Sequence, residues 1–149
     1  MIRKIKVKID NKPYPVPVEM RPLWRISLIV VITKIMNKKN KSLDLKKLNV
    51  MLWVLIRSQE WNNFMKFIDE KNSSPPFISS DQANYIAIEL GFKKNLIIFQ
   101  QDKIQITELG NKIYESISLN NLFEAERNFT ESYLSKISVD KIEKMLGKV

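Results

Sequence analysis

Hydrophobic residues recur at helical spacing along most of the chain. The run from Leu23 to Met36 is apolar almost all round, which predicts a central helix that packs on several sides. This run is 14 residues long and contains Arg25 and Lys34, whereas a membrane span needs about 18 or more apolar residues. Pro22 suits the first turn, where its missing N–H has no helical partner anyway. We therefore expect a buried helix rather than a membrane span.

Two more helices are predicted before residue 70. Ser42 can cap the first of them, with Asp44 in its first turn. The apolar stripes that we expect are Leu45, Leu48, Leu52, Leu55 and Ile56 in the first helix and Trp61, Phe64, Met65 and Ile68 in the second.

The next segment predicts a helix, a β-hairpin and another helix. Ser79 and Gln82 fit a capping box for a helix that ends at Gly91, with the stripe Ala83, Ile86, Ala87 and Leu90. Residues 96–100 and 103–106 alternate apolar with polar residues around a Gln101-Asp102 turn. That turn lacks the usual glycine, which leaves its type open. Thr107 caps a helix through Ile117, and Gly110 allows a close approach to the strand.

The two ends of the chain complete the predicted organisation. Ile5, Val7 and Ile9 alternate with lysines, as in a half-buried strand, and Pro13, Pro15 and Pro17 keep the following stretch extended. Two helices near residues 122–137 and 139–146 close the chain. We expect a basic strand and Pro-rich arm over 1–22, a winged-helix domain over 23–120, and C-terminal helices over 121–149 that pack on the same domain.

This order of elements predicts the fold class. Several helices come first, followed by one more helix, a short hairpin, and a helix that opens with Thr107-Glu108-Leu109-Gly110. This order is typical of a winged helix, and we call the hairpin the wing. The expected fold is mainly α with a small β-hairpin: a winged helix-turn-helix-like domain with extra helices and an N-terminal strand or arm. The competing interpretation is an unrelated α-bundle with an incidental hairpin.

Composition excludes several classes of enzyme. The 149 residues include no Cys and no His, so thiolate nucleophiles, Ser-His-Asp triads and the usual zinc ligands are excluded. The three glycines are isolated, so no phosphate loop is present. We expect no catalytic residues, no metal site, no cofactor and no enzyme activity. The first residues lack the apolar core of a signal peptide, and we expect a cytoplasmic protein that does not contact membranes.

Charge is distributed unevenly along the chain. The net charge is +9, and residues 1–47 hold 13 Lys and Arg against 3 Asp and Glu, while the remainder holds 12 against 13. This asymmetry predicts an anionic partner, either nucleic acid or an acidic protein face. An AT-rich genome explains many lysines but not their confinement. The candidate nucleic-acid-binding residues are Lys38, Lys39, Lys41, Lys46 and Lys47. The alternative is that they form only a solvated loop.

The helix before the wing, which reads DNA in many winged helices, carries the wrong charge for that role. Its predicted span, Ser80 to Leu90, contains Asp81 and Glu89 and no basic residue, and the hairpin tip offers only Lys103. Acidic side chains are repelled by phosphates. We therefore expect this helix to bind protein, through the candidate partner-binding residues Asn84, Tyr85, Ile88 and Glu89.

Two stretches resemble a bacterial family: Glu19-Met20-Arg21-Pro22-Leu23-Trp24-Arg25-Ile26-Ser27-Leu28-Ile29 and Lys46-Lys47-Leu48-Asn49-Val50-Met51-Leu52-Trp53-Val54-Leu55. They are similar to the small middle component of three-component ABC systems, a neighbourhood that includes Lamassu-type antiphage defence systems. The resemblance extends through the wing to about residue 117. It implies a non-catalytic winged-helix accessory subunit, whose partners are an SMC- or Rad50-like ATPase and an effector protein, with sequence-independent binding of double-stranded DNA as a further expectation.

A second function remains open from the residues alone. A free-standing winged-helix transcription regulator would have the same order of elements. A gene for a large coiled-coil ATPase next door favours the accessory subunit, whereas a divergent promoter favours the regulator.

Overall fold

A computed structural model describes residues 22–70, 74–76, 78–79 and 81–147. The expectation of a mainly α fold with one small antiparallel hairpin is confirmed. The predicted N-terminal strand and the Pro-rich arm lie outside the described residues. The elements are α1 (Pro22–Lys38), α2 (Leu45–Leu55), a 3-10 turn (Ser58–Glu60), α3 (Trp61–Asp69), α4 (Gln82–Lys93), β1 (Ile97–Gln100), β2 (Lys103–Ile106), α5 (Glu108–Leu119), α6 (Glu124–Ser132), a second 3-10 turn (Leu134–Lys136) and α7 (Val139–Met145).

Helix α1 forms the centre of the core, as its apolar sequence predicts. It packs against α2, α4, α5, α6 and β2. Every residue from Leu28 to Met36 except Lys34 is buried. The hydroxyl of Thr33, which is polar but also buried, donates to the carbonyl of Ile29 at 2.8 Å, so its burial leaves no unpaired donor.

Helix α2 differs from the prediction at its start and in its buried face. Asp44, not Ser42, is the N-cap, and its carboxylate accepts from the backbone N–H of Lys47 at 2.8 Å. Leu45 is consequently the first helical residue and is exposed, so its assignment to the apolar stripe was wrong. The buried residues run almost all the way round from Val50 to Leu55, because α1, α3, α4 and the C-terminal helices all contact this helix.

Helix α4 is also rotated relative to the prediction. Asp81 caps it by accepting from the backbone N–H groups of Ala83 and Asn84, so the capping box that begins at Ser79 was wrong. The helix continues past Gly91 to Lys93. The buried face is Asn84, Ala87, Ile88 and Gly91, whereas Ile86, which the predicted stripe included, is 46% exposed.

The hairpin and α5 follow the prediction closely. Ile97 pairs with Ile106 and Gln100 with Lys103. Gln101 and Asp102 have φ angles of 55° and 64°, so both occupy the left-handed region that a two-residue type I′ turn requires. Thr107 caps α5 by accepting from the N–H of Gly110 at 3.0 Å. The order α4, hairpin, α5 is the order from which we predicted a winged-helix-like domain, and this finer assignment stays a prediction.

The C-terminal helices share the main hydrophobic core. The ring of Phe129 in α6 stacks on Trp61 of α3 with centroids 4.2 Å apart, and Ile142 and Met145 of α7 belong to the same buried cluster. The first predicted C-terminal helix is shorter than expected, since α6 ends at Ser132 and a 3-10 turn follows.

Candidate nucleic-acid and partner interfaces

The end of α1, the following loop and strand β2 are held side by side by hydrogen bonds. The side-chain amide of Asn37 donates to the carbonyl of Ile104 at 3.2 Å and accepts from the N–H of Ile106 at 2.7 Å. The backbone N–H of Ile104 donates to the carbonyl of Leu43 at 2.8 Å. The loop therefore pairs with the outer edge of β2, and the wing has a fixed position beside the basic loop.

A shallow polar cleft of about 240 Å³ lies at this junction. We call it the basic cleft; it is lined by Asn37, Asn40, Lys41, Ser42, Lys103 and Gln105. Its two lysines come from segments about sixty residues apart, since Lys41 lies in the loop and Lys103 begins β2. Lys41 was a candidate nucleic-acid-binding residue from the sequence, but Lys103 was not. Nothing in the spacing indicated that the wing lies against this loop.

The ammonium groups of Lys41 and Lys103, which line the basic cleft, act electrostatically on Lys47. Burial lowers the pKa of Lys47 from its ordinary value of 10.5, and the positive charges of Lys41 and Lys103 lower it further. Asp44 acts in the opposite direction but does not compensate. An ammonium group whose proton is disfavoured by neighbouring cations marks a local excess of positive charge.

The five candidate nucleic-acid residues do not form one group. Lys38, Lys39 and Lys41 are exposed, and the ammonium group of Lys39 donates to the carbonyl of Glu131 at 2.8 Å. Lys46 forms an ion pair of 2.7 Å with the Glu143 carboxylate, and the hydrogen bond and charge of Glu143 raise the Lys46 pKa. The structure therefore groups Lys47 with Lys41 and Lys103, and pairs Lys46 with α7 instead.

The candidate partner-binding residues divide between two faces of α4. Tyr85 is 56% exposed and Glu89 is also exposed. Asn84 and Ile88 are 0% and 4% exposed, so their assignment to a partner surface was wrong. They lie on the face that packs against α1 and α2, because the helix begins at Gln82 and presents every third or fourth residue from Asn84 to the core.

Asn84 belongs to a buried polar network formed by Arg25, Arg57, Asp81 and Asn84. Arg25 of α1 donates to Asn84 Oδ1 and contacts Asp81 Oδ2 at 3.2 Å. Arg57, after α2, contacts the same Asp81 oxygen at 3.2 Å and lies over the ring of Trp53. Burial alone would raise the pKa of Asp81, but the hydrogen bond from Arg57 and the charge of Arg25 outweigh it, and the pKa is lowered.

This network corrects the charge that we assigned to α4. Asp81 does not confront solvent as a free anion, because two guanidinium groups neutralise it. The helix also includes Lys93, whose ammonium group lies 3.9 Å from the Glu89 carboxylate. The predicted span Ser80 to Leu90 contains no basic residue, but the helix continues to Lys93 and the charge of Asp81 is paired, so the description of the helix as acidic does not hold.

Apolar side chains dominate the exposed part of α4 and β1. We define the α4–wing face as Tyr85, Ile86, Phe92 and Phe99; Ile98 points to the other side of β1, because successive strand residues alternate between the two sides. Phe92 and Phe99 stack with centroids 4.6 Å apart, and Phe99 is half exposed. Tyr85 and Ile86 are each more than 40% exposed. Surface side chains of this type are enriched where proteins bind other proteins.

In the described part of the chain, no group of three or more acidic side chains is arranged to hold a metal ion. Of the helices in that same part, none has the length and apolar character needed to cross a bilayer. Comparison with protein-family models, with curated proteins and with solved structures finds no match.

Proposed function

We propose that this protein is a non-catalytic accessory subunit that links an SMC- or Rad50-like ATPase to an effector in a bacterial antiphage defence complex. In this proposal it works in the cytoplasm, binds its partner proteins through the α4–wing face, and contacts double-stranded DNA without sequence preference through its basic residues. The observation that carries the proposal is the α4–wing face, because this helix presents exposed apolar rings where a DNA-reading helix would present cations.

Two features of the α4–wing face support protein binding. Tyr85 and the stacked Phe92 and Phe99 rings provide large apolar surfaces, and aromatic residues of this kind are the side chains that most often dominate binding energy in protein interfaces. The cation in this helix, Lys93, already lies near Glu89. A phosphate backbone would find little positive charge on this helix.

The absence of His and Cys supports the non-catalytic part of the proposal. Most general bases that work at neutral pH are histidines, and thiolates are the other common nucleophiles. We expect the purified chain to show no nuclease, ATPase or hydrolase turnover.

A free-standing transcription regulator is the second candidate, and one observation favours it. Because Arg25 and Arg57 neutralise Asp81, the N-terminal turn of α4 no longer repels phosphates as its sequence suggests. Gln82 is exposed at the start of this helix, where recognition helices contact base edges, and glutamine can bind adenine through two hydrogen bonds.

Co-purification with the products of neighbouring genes tests the proposal. The parent chain is expected to co-purify with a coiled-coil ATPase, and the double variant Tyr85→Ala/Phe99→Ala is expected to lose about 2 kcal/mol or more of binding free energy. The matched control is Leu119→Ala/Leu122→Ala, which removes two exposed apolar side chains, 86% and 48% exposed, outside α4 and the wing.

Two results would count against the accessory subunit. In the first, the parent chain binds neither the ATPase nor the effector, or the control variant weakens binding as much as the test variant does. In the second, the chain alone recognises a defined DNA sequence and Gln82→Ala relaxes discrimination at one base pair by about 1–3 kcal/mol. The second result would establish the regulator instead.

A further inference from the structure

The basic cleft brings together functional groups that bind phosphate. Lys41 and Lys103 supply charge from opposite sides, while Asn37, Asn40, Ser42 and Gln105 supply amide and hydroxyl groups. Among the residues that the structure describes, no aromatic ring and no carboxylate lines the cleft. The acid nearest in sequence to this loop, Asp44, caps its own helix at the backbone N–H of Lys47. A phosphate in this position would therefore meet donors and cations but no repelling anion and no ring for a base to stack on.

We infer that the basic cleft is a phosphate-binding site, with Lys41, Lys103 and the adjacent Lys47 as its cationic residues. The inference rests on the proposed contact with DNA and deepens it, because it places that contact where the basic loop meets the β2 side of the hairpin. Phosphate is the chemistry recognised, and it reaches the cleft either from a duplex backbone or as a free phosphate group.

The geometry of the cleft is fixed before any ligand arrives. Asn37 holds β2 through two hydrogen bonds, and Leu43 pairs with Ile104. The wing and the loop are thus not required to move towards each other on binding, and rigid placement of the donors lowers the entropy lost on association.

In the free protein, Lys47 is repelled by the two lysines that line the basic cleft. The pKa of Lys47 is lowered by burial and then by Lys41 and Lys103, so a bound dianion or diester would relieve an existing repulsion. In the described residues, Lys41 and Lys103 have no carboxylate partner. The same charges that destabilise the empty cleft are available to a phosphate.

The first measurement is the salt dependence of binding to duplexes of unrelated sequence, made on the full chain and on its complex. The test variant is Lys41→Gln/Lys103→Gln, and the control is Lys94→Gln/Lys112→Gln, which removes the same charge from two exposed lysines elsewhere. The slope of log affinity against log salt should flatten by about 0.9 if both lysines contact one phosphate and by about 1.8 if each contacts its own. The control should change the slope less.

The second measurement follows the Lys47 ammonium group by NMR while inorganic phosphate is added. In the parent chain, phosphate should raise the pKa of Lys47, because the added anion favours the charged form. In Lys41→Gln/Lys103→Gln this response to phosphate should be lost or strongly reduced. Both substituted side chains are exposed, and an unchanged melting curve will show that the variant folds.

The outcomes separate this inference from the proposed function. If DNA binding persists with an unchanged slope in the cleft variant but falls in Lys38→Gln/Lys39→Gln, and inorganic phosphate leaves the pKa of Lys47 unchanged, the DNA contact stands and the cleft inference is overturned. If neither the chain nor its complex binds duplexes but inorganic phosphate still raises the pKa of Lys47, the cleft inference stands and its ligand is a free phosphate. The proposed DNA contact then fails. No response to either ligand would overturn both.

Discussion

The basic cleft and the buried polar network are both clusters of charge, but the network has a carboxylate at its centre and the lining of the cleft does not. In the network, the guanidinium groups of Arg25 and Arg57 share one carboxylate oxygen of Asp81, and Arg25 also donates to the Asn84 amide oxygen. In the cleft, the charges of Lys41 and Lys103 act on Lys47, and the capping carboxylate of Asp44 opposes them without compensating. The first cluster stabilises the fold at the expense of any role at the surface. The second retains its charge for a ligand.

Counting the charged residues along a helix therefore does not establish which charges the helix presents to a partner. Asp81 appeared to make α4 acidic, yet its charge is used to join α1, the end of α2 and the start of α4. Lys46 appeared to belong to a basic patch, yet it pairs with α7. In each case the partner lies at least 24 residues away in the chain.

Removing Asp81 should cause the largest loss of stability. Asp81→Ala leaves Arg25, which is 5% exposed, without its carboxylate, and it also removes the N-cap of α4. Breaking a buried ion pair in this way costs about 3–5 kcal/mol of unfolding free energy. We expect a loss of about 3 kcal/mol, because Asp81 is partly exposed. Denaturant unfolding measures the change.

The matched control for Asp81→Ala is Asp140→Ala, whose carboxylate faces Lys144 at 3.5 Å on the exposed side of α7. An exposed pair of this kind contributes less than about 1 kcal/mol. Equal losses in the two variants would show that the network does not join the helices as we describe.

Gly110 tests the position of the wing without altering any charge. A Cβ at this residue would overlap the carbonyl oxygen of Leu96 and lie 2.7 Å from the Ile106 side chain. Since backbone has to shift to relieve such an overlap, Gly110→Ala should destabilise the fold by about 1–3 kcal/mol. It should also disturb the basic cleft, because Ile106 is anchored to Asn37.

Gly91→Ala provides the comparison for Gly110→Ala. Its Cβ would meet Ile97 at 3.4 Å, an ordinary contact, and alanine favours a helix by about 1 kcal/mol relative to glycine. We expect Gly91→Ala to be neutral or stabilising in the same thermal and denaturant measurements. If it destabilises as much as Gly110→Ala, the close approach of α5 to the strand is not the cause.

The sequence predicts local features of this fold better than it predicts how they meet. Thr107 and Gly110 have roles that depend on neighbours within about a dozen residues, and both were predicted. The buried faces of α2 and α4 depend on which helices pack from the other side, so Leu45 and Ile86 were misplaced. The turn at Gln101 adopts type I′ without glycine because the register of the strands fixes it.

The candidate surfaces show the same limit. The basic loop was recognisable because its lysines are close in sequence, whereas Lys103 required knowledge that β2 lies beside that loop. Tyr85 and Glu89 were correctly expected to be exposed, but Asn84 and Ile88 were not separable from them without the rotation of α4. Whether the exposed pair binds a protein stays a prediction.

The pH dependence of stability should distinguish the two clusters by sign. The pKa of Asp81 lies below its ordinary value of 3.8 in the folded chain. As pH falls, the Asp81 carboxylate is therefore protonated first in the unfolded state. The stability that Asp81 contributes is complete above pH 3.8 and is lost as pH falls towards the folded pKa. The stability difference between the parent and Asp81→Asn should shrink as unfolding is measured at successively lower pH in this range.

Lys47 should have the opposite effect at alkaline pH. Its folded pKa lies below the ordinary value of 10.5, so its charge opposes folding at neutral pH. That cost is relieved as pH rises through the folded pKa towards 10.5. The parent should therefore gain stability in this range relative to Lys47→Gln, which has no proton to release. A parallel pH dependence of the two chains would mean that neither burial nor the charges of Lys41 and Lys103 lower the pKa of Lys47, and the basic cleft would lose its electrostatic support.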